Sequence, residues 1–312
     1  MRKAFIVTML FVSNTVYAGP ELTAAVENVR DVCGNIGAEL TDMKKMAGIT
    51  TAVTGVGTVA GGVGLGAGIA KAKTDKELSQ TEQIIAELKA AGATQVTSLE
   101  MFYETFADAL SETSTLNGQA YAAQLRAKKD KLMQKSKNLG NLRTGTLAVA
   151  TATNIAGAIM SGTNRVKGDL KQQIDGCLAA VKTLSNIRMQ ARMDGSATDT
   201  ELARAERIIS ACDAWSTIDI TPINNRSTGA TVSSGIGAGL GLVGTITSAS
   251  ANSDSVRNGD DAQREKNLNT AANVLAGGTT VASATATIFN ATQINVIKRA
   301  ATIADECEGA LR

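Results

Sequence analysis

The sequence predicts a mainly α-helical chain: two unequal repeats, each a hairpin of Gly/Ala/Thr-rich helices with flanking helices, stapled by disulfides. Three observations carry that expectation. Only two prolines interrupt the 312 residues, four long uncharged runs recur in pairs, and four widely spaced cysteines bracket those pairs. Aromatic residues make up 3% of the chain, so packing must come from close approach of backbones rather than from large side chains. The 31 basic and 29 acidic residues nearly cancel, and with so few aromatics there is no footprint for nucleic acid.

The first element is MRKAFIVTMLFVSNTVYA, residues 1–18. Arg2 and Lys3 make a basic start, Ala4 to Val12 an apolar run, and Val16-Tyr17-Ala18 a small-residue cleavage site. This three-part pattern is that of a secretory signal peptide, too short for a stable span. The mature chain then begins at Gly19 in an exported compartment: the periplasm or membrane of a cell envelope, or the medium. No cysteine follows the cleavage site to carry a lipid anchor. In an oxidising compartment Cys33, Cys177, Cys212 and Cys307 are expected to form two disulfides. With no histidine and no Cys-x-x-Cys pair, no metal site is expected.

After the signal peptide the chain resembles itself. ELTAAVENVRDVC (21–33) matches ELARAERIISAC (201–212), and TGVGTVAGG (54–62) matches SGIGAGLGL (234–242). KNLGNLRTGTLAVATATN (137–154) matches KNLNTAANVLAGGTTVASATATIFN (266–290) with a gap allowed, and DLKQQIDGC (169–177) matches RAATIADEC (299–307). Each half reads as Cys-helix, uncharged segment, connector, uncharged segment, helix-Cys. The first repeat is therefore assigned to 19–195, with a helical insertion at 71–137, and the second to 196–312. The symmetric pairing joins Cys33 to Cys177 and Cys212 to Cys307. A nested pairing, Cys177 with Cys212 and Cys33 with Cys307, is the alternative. Within the insertion, 74–92 and the basic stretch 119–139 have helical character. Phe102, Tyr103 and Phe106 cluster between them as a local core or a candidate partner surface.

The four uncharged runs are Met46 to Ala70, Thr144 to Asn164, Ser227 to Ser253 and Asn267 to Ile297, each long enough for a helix to cross hydrocarbon. Lys44, Lys45, Lys71 and Lys73 flank the first and Arg143, Arg165 and Lys167 the second, an arrangement suited to interfacial anchoring. Small residues recur four apart: Gly57 with Gly61, Gly62 with Gly66, Gly64 with Gly68, Gly235 with Gly239, Gly237 with Gly241. Such faces let helix backbones approach closely in lipid. Alternation of Gly62, Gly64, Gly66 and Gly68, with Thr and Val nearby, also fits strands. The Ala content and length of the runs favour helix.

Residues 54–70 and 235–244 resemble the glycine faces of glycine-zipper membrane proteins of bacterial envelopes. That resemblance implies paired spanning helices, membrane oligomers and a part in envelope integrity. The missing lipobox cysteine departs from the lipid-anchored members. Four spans would return the carboxyl terminus to the exported side, with all four cysteines on one face and both connectors on the other.

Enzyme chemistry finds little footing. GVGTVA (55–60) and GLGLVG (239–244) match a dinucleotide fingerprint, with Asp75 downstream, but no βαβ series surrounds them. The absence of histidine excludes Ser-His-Asp and Cys-His arrangements. Asp260 with Asp261 and Asp305 with Glu306 lie beside basic residues as solvated pairs. The expectation is a non-enzymatic envelope protein with no cofactor, membrane-associated through glycine-zipper hairpins and self-associating, in a structural or interaction role. A soluble exported helical bundle acting as a binding module, and a pore-former, are the alternatives.

Overall fold

The computed structural model describes residues 18–92, 118–166, 168–253, 256 and 262–312. Residues 1–17 of the expected signal peptide, the Phe102, Tyr103 and Phe106 cluster, and most of the second connector lie outside the described residues. In chain order the helices are α1 (Ala18–Cys33), α2 (Ile36–Gly92), α3 (Gly118–Thr163), α4 (Gly168–Asp194), α5 (Asp199–Cys212), α6 (Thr221–Asn252) and α7 (Ala262–Leu311), with a 3-10 turn at Asp213–Thr217. There is no strand among the described residues, so the glycine-rich segments are helical.

Two compact units form, and each draws segments from both sides of residue 195. One comprises Met1–Ala47, Asn164–Asn225 and Thr292–Arg312; the other comprises Gly48–Thr163 and Arg226–Ala291.

The first unit has a conventional core. Leu22, Val26 and Val29 of α1 meet Leu170, Ile174, Val181 and Leu184 of α4, with Ile208, Trp215, Ile297 and Leu311 completing the cluster. Local signals set its helix ends. Thr198 and Glu201 form a reciprocal capping box at the start of α5, and Gly195, at φ 64°, ends the turn after α4 in the left-handed region that glycine adopts without strain. Disulfides join Cys33 to Cys177 and Cys212 to Cys307, with Cα separations of 5.0 and 4.6 Å. They close chain segments of 144 and 95 residues, and loops of that size contribute about 5 kcal/mol each in the chain-entropy description.

The second unit is built on a different principle. Its buried positions advance by three and four residues along every helix, the repeat of a coiled-coil seam. On α2 they are Thr50, Thr54, Gly57, Gly61, Gly64, Gly68 and Lys71; on α6, Ser227, Ala230, Ser234, Gly237, Gly241, Gly244 and Ser248. The α3 series is Ser136, Gly140, Arg143, Leu147, Ala150, Asn154, Gly157 and Ser161, and α7 adds Asn269, Ala272, Ala276, Thr279, Ser283, Ala286 and Asn290. Contacts at the glycines fix the directions. Gly57 faces Thr153 and Ser283, while Gly68 faces Arg143 and Asn273, so α2 runs against α3 and α7. Gly237 faces Asn154 and Gly244 faces Leu147, so α6 also runs against α3. The result is an up-down-up-down bundle whose interior is small and polar.

Candidate functional site

The chemistry of the second unit lies in what its helices turn inward and what they turn outward. Within Met46–Ala70, 144–162, 229–251 and 271–294, every exposed residue is Gly, Ala, Val, Ile, Leu or Met. Ile49, Val56, Val59, Val63 and Ile69 line the outside of α2; Val149, Ile155 and Ile159 that of α3; Val232, Ile236, Leu242, Val243 and Ile246 that of α6; Val274, Val281 and Ile288 that of α7. At 1.5 Å per residue these stretches run about 28–37 Å, close to the thickness of a hydrocarbon core.

Polar groups are kept inside or satisfied by their own helix. Asn154 Nδ2 donates to Ser283 Oγ at 2.8 Å, and Ser283 returns its proton to Asn154 Oδ1 or to the Thr279 carbonyl. Thr58 and Thr287 share a hydrogen bond at 3.2 Å, Ser161 donates to Asn290 Oδ1 at 3.2 Å, and Ser227 donates to the Ser161 carbonyl. The hydroxyls of Thr54, Thr151, Thr279, Thr280 and Thr285 each bond the carbonyl four residues back. A threonine so bonded leaves no unmet donor in an apolar environment.

Two charged networks sit where the uncharged run of α2 ends. Arg143 is fully buried and donates to Ser248 Oγ at 2.8 Å, Asn269 Oδ1 at 2.8 Å and Asn273 Oδ1 at 3.1 Å. Lys71, also fully buried, reaches Asp75 at 2.6 Å and Glu265 at 3.3 Å, and Ser136 donates to the other oxygen of Asp75 at 2.5 Å. This corrects the sequence reading of these two cations as outward anchors: Lys71 pairs with Asp75 on its own helix and Glu265 on α7, and Arg143 with hydroxyl and amide groups of α6 and α7, so both turn in. Lys44, Lys45, Lys73 and Arg165 do face outward, while Lys167 lies outside the described residues.

Of the glycines expected to pack, Gly57, Gly61, Gly64, Gly68, Gly237 and Gly241 face side chains across the bundle, whereas Gly62, Gly66, Gly235 and Gly239 face open space. A Cβ on Gly61 would lie 2.7 Å from Thr280 Oγ1 and 3.2 Å from the Thr280 Cα, so α7 would have to give way to admit one. Sequence reasoning missed Asn154, Ser283, Asn269, Asn273 and Ser248. The readable signal was the alternation of three and four residues between polar and small positions, rather than the four-residue glycine spacing alone.

Two features of the first unit complete the survey. Sulfurs of Cys33, Cys177 and Cys307 lie within 4.8 Å of one another, but disulfides consume them all, so they offer no thiolate to a metal. An open pocket of about 590 Å³ is lined by Arg30, Asp31, Glu308 and Arg312. Its cations are already engaged: Arg30 with Glu27 and the Leu311 carbonyl, Arg312 with Glu308.

Among the described residues two helices, one within Pro20–Glu87 and the other Thr221–Asn252, are long and apolar enough to cross a membrane, with best-window mean hydropathies of 1.5 and 1.3. The sequence suggested four. Asn154, Ser161, Asn269, Ser283 and Asn290 dilute the other two runs, and all of them face inward. Comparison of the chain with protein families, curated protein sequences and solved structures gives no match.

Proposed function

We propose that the chain is a non-enzymatic exported envelope protein whose second unit lies in a membrane as two glycine-packed helical hairpins, in a structural or interaction role. The observation that carries this reading is the inverted burial of that unit. A helix packing in water keeps its aliphatic side chains at the three-four positions and its Thr, Asn and Ser outside. Here the arrangement is reversed on all four helices. So large an apolar exterior invites aggregation in water but is the natural surface in lipid. The inversion therefore counts against the soluble-bundle alternative. An interior filled by Asn–Ser pairs and glycine contacts favours a packed bundle over a channel.

The hairpins α2–α3 and α6–α7 read as copies. Thr54, Gly57 and Gly61 occupy the same buried register as Ser234, Gly237 and Gly241, the positions at which the sequence repeats. Asn154–Ser283 and Ser161–Asn290 are both 129 residues apart, as are Lys137 and Lys266 where the second repeat match begins. Two disulfides support an oxidising, exported compartment. Self-association belongs to the same proposal. Alkaline carbonate extraction of envelope fractions tests the reading: the mature chain should stay with the membrane pellet. Its release into the soluble fraction would refute membrane residence.

A further inference from the structure

Beyond one end of the apolar exterior, three helices continue and their charges sort by direction. Asp75 and Glu265 turn inward, where both bind the buried Lys71. Lys73 and Lys76 on α2, Lys135 on α3 and Lys266 on α7 are exposed. At 1.5 Å per residue each lies within about 15 Å of the last residue of its helix's apolar stretch. Glu77 is the half-buried acid among them. By spending two carboxylates on an internal cation, the unit leaves an outward collar that is predominantly positive among the described residues, although the whole chain is nearly neutral.

We infer that this lysine collar binds the phosphates of anionic phospholipid headgroups. The inference rests on the membrane reading and deepens it by naming the lipid. Charge complementarity and direct continuity with the aliphatic exterior select that occupant: a headgroup phosphate stands where the hydrocarbon ends, and that is where the lysines begin. Each basic residue close to an anionic surface strengthens binding roughly fivefold at low salt, and the effect fades beyond a screening length.

The test dilutes detergent-solubilised mature protein into preformed vesicles, either phosphatidylcholine alone or phosphatidylcholine with phosphatidylglycerol, and measures co-flotation as salt rises. Wild type should partition into the anionic vesicles at least tenfold better at low salt, with the advantage shrinking as salt increases. Lys73→Gln, Lys76→Gln, Lys135→Gln and Lys266→Gln combined should remove most of that advantage while leaving binding to neutral vesicles unchanged. All four positions are exposed, and an unchanged helical circular-dichroism melt would show that the variant folds.

Equal flotation on both lipids would overturn the collar and leave the membrane reading standing. No flotation on either would overturn the membrane reading itself. An anionic preference that survives the four substitutions would overturn the assignment to these lysines. Lysine-dependent retention on duplex DNA without any lipid preference would overturn it in favour of a soluble polyanion.

Discussion

At Gly61 an added Cβ would press on Thr280 of α7, whereas at its neighbour Gly62 it would meet nothing. The two positions separate packing from propensity. Gly61→Val drives a side chain into the Thr280 backbone and should cost about 1–3 kcal/mol as overpacking. Gly62→Ala adds a methyl group that meets nothing and should be neutral or stabilising by up to about 1 kcal/mol through helix propensity. Thermal unfolding of both variants in the same detergent checks this; equal destabilisation would mean that the inward and outward glycines are not distinguished as described. The same contrast applies to Gly241, against Thr151, and Gly239, which faces nothing. Composition alone could not separate them, because all four sit in equally glycine-rich text.

Among the helices, α5 shows how a local signal sets an element. Glu201 accepts from the Thr198 backbone N–H at 2.8 Å and from its hydroxyl at 2.8 Å, and these bonds hold its carboxyl below the usual glutamate range. A depressed carboxyl pKa stabilises the fold fully above the unfolded glutamate value, near 4.3, and loses that contribution as pH falls through the folded value. Thr198→Ala removes the hydroxyl and keeps the backbone donor. The Glu201 titration, followed by NMR, should therefore move part of the way back toward the ordinary value; no movement would deny the side chain a role. The long helices depend on nothing so local. Their length was legible in the uncharged runs and the scarcity of proline, and the strand alternative for Gly62 to Gly68 failed because these residues continue one helix from Ile36 to Gly92. What the runs concealed was rotation. Thr, Asn and Ser lowered their hydropathy without revealing that, along the apolar stretches, none of these side chains is exposed.

For the whole molecule, the cysteine pattern was the most readable feature: two disulfides, joining Cys33 to Cys177 and Cys212 to Cys307, fall at the ends of the matched segments. The composition shifts at Met46, Asn164 and Ser227 fall at boundaries of the compact units, but nothing in the sequence said that segments from both halves of the chain would join in each unit. Nor were the inward turns readable of Arg143, whose partners lie more than one hundred residues away in sequence, and of Lys71, which joins Asp75 on its own helix to the distant Glu265. The central claim is that the aliphatic exterior of the second unit faces lipid, and it can be measured directly. All described cysteines are in disulfides, so Val59→Cys, Val149→Cys, Val243→Cys or Val281→Cys supplies the thiol for a nitroxide. In protein reconstituted into bilayers, dissolved oxygen should relax the label at all four sites while a water-soluble nickel chelate does not. Free collision with the nickel chelate at these sites would contradict the account.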